Sequence, residues 1–301
     1  MKKRVLSLAL CLVLVVGLFS GLTVNASAGR IDDLKKKVAE KLIKEKIEQL
    51  KEEFEIPDLD TDAILSSFAN AATSGDFGEN NCLHWEVSTG GLGGKTLTIS
   101  GTGDMMSQFN QVEPVWGRYV RTARIASGVT TIGAGAFHRC AYLTSVELPD
   151  TLTAIGVGAF SECKSLSALT IPEGVTTIQR GAFTNCSNLV TLRLPAGLQT
   201  LADYTFAGCS KLVMMNIPEG ITSVGECLFN WCTSLQTVSL PASLQSVGAV
   251  AFDGVPLQAV CYPGTAEQWQ AVKLAENQGS KGLANAKVYY AVSYTHLRAH
   301  E

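Results

Sequence analysis

Leu166-Ser167-Ala168-Leu169-Thr170-Ile171-Pro172-Glu173-Gly174-Val175-Thr176-Thr177-Ile178-Gln179-Arg180-Gly181-Ala182-Phe183-Thr184-Asn185-Cys186-Ser187-Asn188 is one unit of a repeat, and its apolar skeleton returns every 23 residues. Phe183 stands in a column with Phe137, Phe160, Phe206, Phe229 and Phe252, and Cys186 in one with Cys140, Cys163, Cys209 and Cys232. Pro172 aligns with Pro149, Pro195, Pro218 and Pro241, and Leu166 with Leu143, Leu189, Leu212 and Leu235. Ile171 aligns with Leu148, Leu194, Ile217 and Leu240, while Ile178 aligns with Ile132, Ile155, Leu201, Val224 and Val247. Chance does not bring so many columns into register, and a single unit has too few apolar residues to bury its own face. Stacking of successive units supplies the missing core, so each is one coil of a solenoid.

Within a coil, Leu143 to Leu148 and its equivalents read as a short strand, stacked in parallel at roughly 4.8 Å per coil. Val146 and Leu148 are expected to point inward, Ser145 and Glu147 outward. The proline ends the pairing, and the chain crosses through the Gly-Val-Thr-Thr-Ile-Gly turn to a Gly-Ala-Phe segment on the opposite side, whose phenylalanines fill the interior.

The unit L-x-x-V-x-L-P-x-G-V-T-x-I-G-x-x-A-F-x-x-C resembles the BspA-like class of bacterial leucine-rich repeats over about Val120 to Tyr262. The segment from Thr96 to Met105, with Cys82 and Pro114-Val115-Trp116, resembles the β-rich stretch that leads into such repeats. Tyr262-Pro263-Gly264-Thr265, Gln268-Trp269 and Ala286 to Tyr290 resemble the terminal unit. The resemblance implies a secreted or cell-surface protein of host-associated or anaerobic microbes that adheres to matrix proteins or other cells. The chain departs from the pattern at Gln179, Ala202, Tyr204, Cys227, Leu228 and Val255, so the last two coils are expected to be less regular.

The fold class is therefore α/β or mainly β: a leucine-rich-repeat solenoid over residues 120–262 with a C-terminal cap unit at 263–291. A β-rich N-terminal cap precedes it at 76–119, where His84 to Val87 and Thr96 to Ile99 alternate with period two around a Gly-rich turn and read as a hairpin. Gly94-Lys95-Thr96 imitates the end of a phosphate-binding loop, but Thr89 stands where its first glycine belongs and a strand pattern follows. Residues 29–75 form a charged segment with a linker. Between Arg30 and Glu55 it carries eight basic and eight acidic residues, with Ile31, Leu34, Val38, Leu42, Ile47, Leu50 and Phe54 on one helical face. This N-terminal amphipathic helix reads as a spacer or packing helix, with a short coiled coil or membrane-surface helix as the alternatives. Residues 1–28 read as a signal peptide: Lys2, Lys3 and Arg4 precede an apolar run, and Ala26-Ser27-Ala28 supplies the small residues before a cleavage site. A membrane anchor is the alternative for that run; after cleavage no membrane span is expected.

Across 301 residues, 46% are hydrophobic and 17% charged, with a net charge of −3. The charge is uneven. From Tyr119 to Pro263 there are seven positive and eight negative residues, too few and too balanced for a nucleic-acid-binding stripe. Before the last ten residues only His84 and His138 exist, and no spacing pairs either with a nucleophile, so no catalytic residue, enzyme activity, cofactor or metal site is expected. Cys227 and Cys232 lack the ligand spacing of a zinc site. The recurring Glu173 and Glu219 read as ordinary exposed charge. Export invites disulfides, and neighbours in the cysteine column lie within bridging distance. Their odd number and inward position favour buried free thiols.

The outward column of the strands supplies the candidate binding face: Arg124, Glu147, Thr170, Arg193, Asn216 and Ser239, with Met214 beside them. Cys261 continues the column. Its polar, nearly neutral character suits a host or microbial protein or glycan, bound by a monomer at the extracellular surface. The competing function is a structural spacer or targeting arm of a larger exported protein with a C-terminal catalytic or anchoring domain. Trp231 is read as packing into a less regular coil, with an exposed aromatic anchor as the alternative. Val292 to Glu301 match the in-frame translation of a transposase-type sequencing adapter, so the natural reading frame is expected to depart near Ala291.

Overall fold

A computed structural model of the chain describes residue 45 and residues 74–78, 82–89, 94–105, 114, 116–117, 119–275 and 281–290. The signal peptide, the adapter-like tail and, Glu45 apart, the amphipathic helix lie outside the described residues. The chain divides into two compact units, Met1–Asp76 and Phe77–Glu301. Strand β1 (Ser74–Phe77) spans that boundary, and everything below concerns the second unit.

The hairpin expected in the N-terminal cap is present. β2 (Leu83–Thr89) runs antiparallel to β3 (Lys95–Gly101), with Trp85 opposite Ile99. Trp85, Leu97 and Ile99 are buried while Glu86 and Thr98 are exposed, the alternation of a sheet wet on one side. β4 (Gly103–Asp104) follows, and β3 pairs in parallel with β5 (Val120–Ile125), placing Leu97 beside Ala123. The hairpin thus covers what would be an open edge of the stack.

Every later coil carries two short strands. On the front are β7 (Ser145–Glu147), β9 (Ala168–Thr170), β11 (Thr191–Arg193), β13 (Met214–Asn216), β15 (Thr237–Ser239), β17 (Ala259–Tyr262) and β19 (Lys287–Tyr290). On the back are β6 (Val129–Ile132), β8 (Ala154–Ile155), β10 (Thr177–Ile178), β12 (Thr200–Leu201), β14 (Ser223–Val224), β16 (Ser246–Val247) and β18 (Lys273–Leu274). All these pairings are parallel, and Thr177 pairs with both Ala154 and Thr200, so the sequence period is the structural register. The front strands are shorter than the expected Leu143–Leu148 because Leu143 is still in the preceding turn, its N–H donating to the Cys140 carbonyl. Pairing is interrupted between β7 and β9, between β11 and β13, and between β12 and β14.

A third side ties the coils together without forming strands. In the Gly-Ala-Phe segment, Gly135, Phe137 and Arg139 donate their N–H groups to the carbonyls of Val157, Ala159 and Ser161 of the next coil. The same three bonds recur coil after coil up to Cys227, Phe229 and Trp231, including the step where the front and back ladders break. Buried backbone polar groups need partners, and this ladder provides them.

The core is a set of files. Phe137, Phe160, Phe183, Phe206, Phe229 and Phe252 are fully buried, and successive ring centroids lie 5.0, 5.4, 5.8, 5.7 and 5.3 Å apart. The planes are within 1° in the first two steps and tilt by 29° in the last, which is the irregularity expected of the final coils. Trp116 closes the N-terminal end of the file, 5.7 Å from Phe137. Val146 and Leu148 are half-buried against the core, whereas their counterparts from Leu169 onward are buried. At the C-terminal end the period loosens: Thr237 pairs with Ala259, and Ser246 with Lys273, 27 residues on. The extra length holds helix α1 (Ala266–Gln270), started by a capping box between Thr265 and Gln268. Helix α2 (Lys281–Asn285) then leads into β19 and buries Leu283.

Candidate functional site

Because successive side chains of a strand alternate in direction, Leu169, Leu192, Met215 and Val238 fill the core while their neighbours face solvent. Arg124, Glu147, Thr170, Arg193, Met214 and Asn216 are all exposed on the front strands, with Arg124 in register with Glu147 and Thr170 with Arg193. Val190 and Val213 are exposed at the margin of this face beside Met214.

Ser239 departs from the expectation. It is buried, at 7% exposure, and Cys261, next in the same column, is fully buried. In register Ser239 sits between Asn216 and Cys261, and Cys261 beside Tyr289, so small side chains are shaded by larger neighbours one strand spacing away. The open part of the column therefore runs from Arg124 to Asn216.

Its charges are partly satisfied within the protein. Arg124 pairs with Glu147 at 3.3 Å across adjacent strands, and Arg193 Nη2 donates to Glu173 Oε1 at 2.9 Å. Both pairs are well exposed and contribute at most about 1 kcal/mol each. They hold the guanidinium groups in place more than they hold the fold together.

Glu173 and Glu219 do more than carry exposed charge. Glu173 Oε2 accepts the N–H of Ala196 at 3.0 Å, and Glu219 accepts those of Ala242 at 2.9 Å and Ser243 at 3.3 Å. Each carboxylate holds the proline turn of the following coil. Their recurrence was visible in the sequence, but the partner is a backbone group 23 residues away and has no side-chain signature.

The residue before the cysteine, or before Val255 in its place, is left-handed in every coil. Arg139, Glu162, Asn185, Gly208, Trp231 and Gly254 have φ of 59°, 61°, 58°, 74°, 59° and 68°. This turn carries Trp231 outward, 62% exposed, and corrects the expectation that it packs into the core. A second left-handed column runs through Gly135, Gly158, Gly181, Tyr204, Cys227 and Val250. The last three coils thus keep this left-handed turn with non-glycine residues.

The cysteines of the column are buried and form no disulfides. The thiols of Cys163, Cys186, Cys209 and Cys232 each donate to a phenylalanine carbonyl of the preceding coil at 3.1–3.2 Å. Burial pushes Cys186 and Cys232 up to about 12 and raises Cys163 and Cys209 strongly, so these thiols stay protonated and unreactive. His138 is shifted down, mainly by burial, against the opposing pull of Glu162. Among the described residues no three His, Cys, Asp or Glu side chains are grouped to hold a metal ion, and no helix is long and apolar enough to cross a membrane.

The BspA type leucine rich repeat region model matches in six copies over residues 119–212 and 153–274, together more than half of the chain. No curated protein matches. Among solved structures, a leucine-rich repeat protein of T. pallidum is 22% identical, with a TM-score of 0.47, covering 56% of this chain and 86% of that one. A leucine-rich repeat protein from Bacteroides ovatus is 21% identical, with a TM-score of 0.48, covering 68% of this chain and 69% of that one. A leucine rich cell surface protein from Faecalibacterium prausnitzii is 17% identical, with a TM-score of 0.36, covering 67% of this chain and 98% of that one.

Proposed function

This chain belongs to the BspA-type leucine-rich repeat family, and on that premise we propose that it is a secreted or cell-surface protein whose front face binds a protein or glycan partner. The observation that carries this reading is the exposed file Arg124, Glu147, Thr170, Arg193 and Asn216 with Met214 alongside. These side chains project from strands whose other side is locked in the core, so the face is pre-organised and little ordering entropy is lost on binding. Its mixed, nearly neutral chemistry matches a protein or glycan surface, and the N-terminal leader pattern supports export.

The purified chain is applied to immobilised extracellular-matrix proteins and to whole cells. Wild type is expected to bind, and Arg193→Glu or Asn216→Ala to weaken binding, the former also by setting a second carboxylate against Glu173. Binding no stronger than that of a variant with the face scrambled overturns the proposal.

A further inference from the structure

On the third side of the coil, away from the front strands, the side chains of Arg139, Asn185 and Trp231, each just before a cysteine, lean toward the following coil. Arg139 reaches Glu162 at 3.4 Å, and the amide oxygen of Asn185 occupies the place where a side chain on Gly208 would begin. Trp231 lies against Gly254: a Cβ added there would stand 3.3 Å from Trp231 Cε3 and 3.5 Å from Cδ2. Residue 208 is also glycine, so no side chain at this position of the preceding coil leans over Trp231 in turn. The indole is a plate seated on glycine backbone and 62% exposed to solvent.

This arrangement works against stability. A left-handed aromatic costs roughly 1–2 kcal/mol relative to the glycine used in the two flanking coils, and Trp231 recovers little of it through burial. Its neighbours along the chain and across the coils are polar: Asn230 precedes the tryptophan, Thr233 follows its cysteine and donates to the Ser210 carbonyl at 3.4 Å, and Asp253, whose carbonyl accepts the Trp231 N–H, belongs to the next coil. A protein hot spot gathers apolar companions around its aromatic anchor, and none of these four supplies one. A sugar ring needs the opposite, a flat aromatic face under its C–H groups and hydrogen-bonding side chains around its hydroxyls.

We propose that Trp231 is a stacking platform for a neutral pyranose ring of a glycan, with Asn230 and Asp253 as the first hydroxyl partners. The carboxylate of Asp253 selects against an anionic sugar. The site is separate from the front face and stands or falls independently of it.

The full chain is titrated with cellohexaose, chitohexaose and mannohexaose, followed by calorimetry and by tryptophan emission. At least one sugar is expected to bind and shift the emission to shorter wavelength. Trp231→Ala should weaken that binding by about tenfold or more, with the thermal midpoint little changed because the indole is mostly exposed and alanine keeps a Cβ at the same left-handed φ. Trp231→Phe should retain part of the affinity. Arg193→Glu should leave sugar binding intact even where it abolishes binding to matrix proteins, which separates this site from the front face. Failure of all three sugars to bind, or undiminished sugar binding by Trp231→Ala, overturns the proposal. So does loss, in the same variant, of binding to an enzymatically deglycosylated matrix protein.

Discussion

The thiol of Cys186 donates a hydrogen bond to the carbonyl oxygen of Phe160, 3.1 Å away in the preceding coil. The cysteine column is therefore more than small apolar filling: the sulfurs of Cys163, Cys186, Cys209 and Cys232 each give a buried phenylalanine carbonyl a second donor, beside the backbone N–H of the cysteine three residues further on. Cys186→Ala is expected to lower unfolding free energy by about 1–2 kcal/mol, measured by denaturant titration. A loss near zero would mean that the sulfur bond has no weight.

The same thiols set an alkaline limit. Cys186 is held near 12 in the folded chain against an ordinary value of 9.0, and Cys232 likewise. Below about pH 9 both folded and unfolded thiols are protonated and this contribution is intact. Between about 9 and 12 the unfolded chain releases protons that the folded chain retains, so stability falls as pH rises. The thermal midpoint should drop through that window, and replacing Cys186 and Cys232 together by alanine should flatten the slope. Alkylation of the native protein at pH 8 should spare Cys163, Cys186, Cys209 and Cys232, which react after denaturation, as read by mass spectrometry.

Phe183 lies 5.4 Å from Phe160 and 5.8 Å from Phe206, in the middle of the aromatic file. Its truncation leaves a cavity that neither neighbour can close without breaking coil register. Phe183→Ala should cost about 3–5 kcal/mol, and an unchanged melting midpoint would contradict the stacked core.

Val250 has φ of 58°, a conformation that a β-branched side chain adopts at a cost and that Gly135, Gly158 and Gly181 adopt freely in the same column. Val250→Gly should raise stability by about 1 kcal/mol. Gly181→Val, the reverse change at the equivalent position, should lower it. Both are read from chemical denaturation, and a stabilised Gly181→Val would refute the strain argument.

Glu219 accepts the N–H groups of Ala242 and Ser243 in the next coil. Glu219→Ala should destabilise by about 1 kcal/mol, whereas an ordinary exposed carboxylate would be removed at no cost. Hydrogen exchange at the two amides gives the local check, with faster exchange expected in the variant.

Much of this architecture was legible before any coordinates. A period shared by the phenylalanine, cysteine, proline and leucine columns dictates one coil per unit, because 23 residues cannot bury their own apolar face. Inward and outward positions of the front strands followed from alternation, and they hold from Thr170 to Asn216. They fail at Ser239, where alternation gives the direction of a side chain but not what stands beside it. The carboxylate clasps of Glu173 and Glu219 escaped notice because backbone donors are the same at every residue.

What the amino-acid order determined by itself is the repeat: its length, its apolar files and the parallel stack they require, all consequences of burying apolar area that no single unit can hide. Tertiary structure alone decided the sign of φ at Arg139, Glu162, Asn185 and Trp231. It also decided the outward turn of Trp231 onto Gly254 and the shading of Ser239 beside Cys261. Those outcomes depend on hydrogen bonds and side chains of the neighbouring coils, which become neighbours only when the chain has wound back on itself.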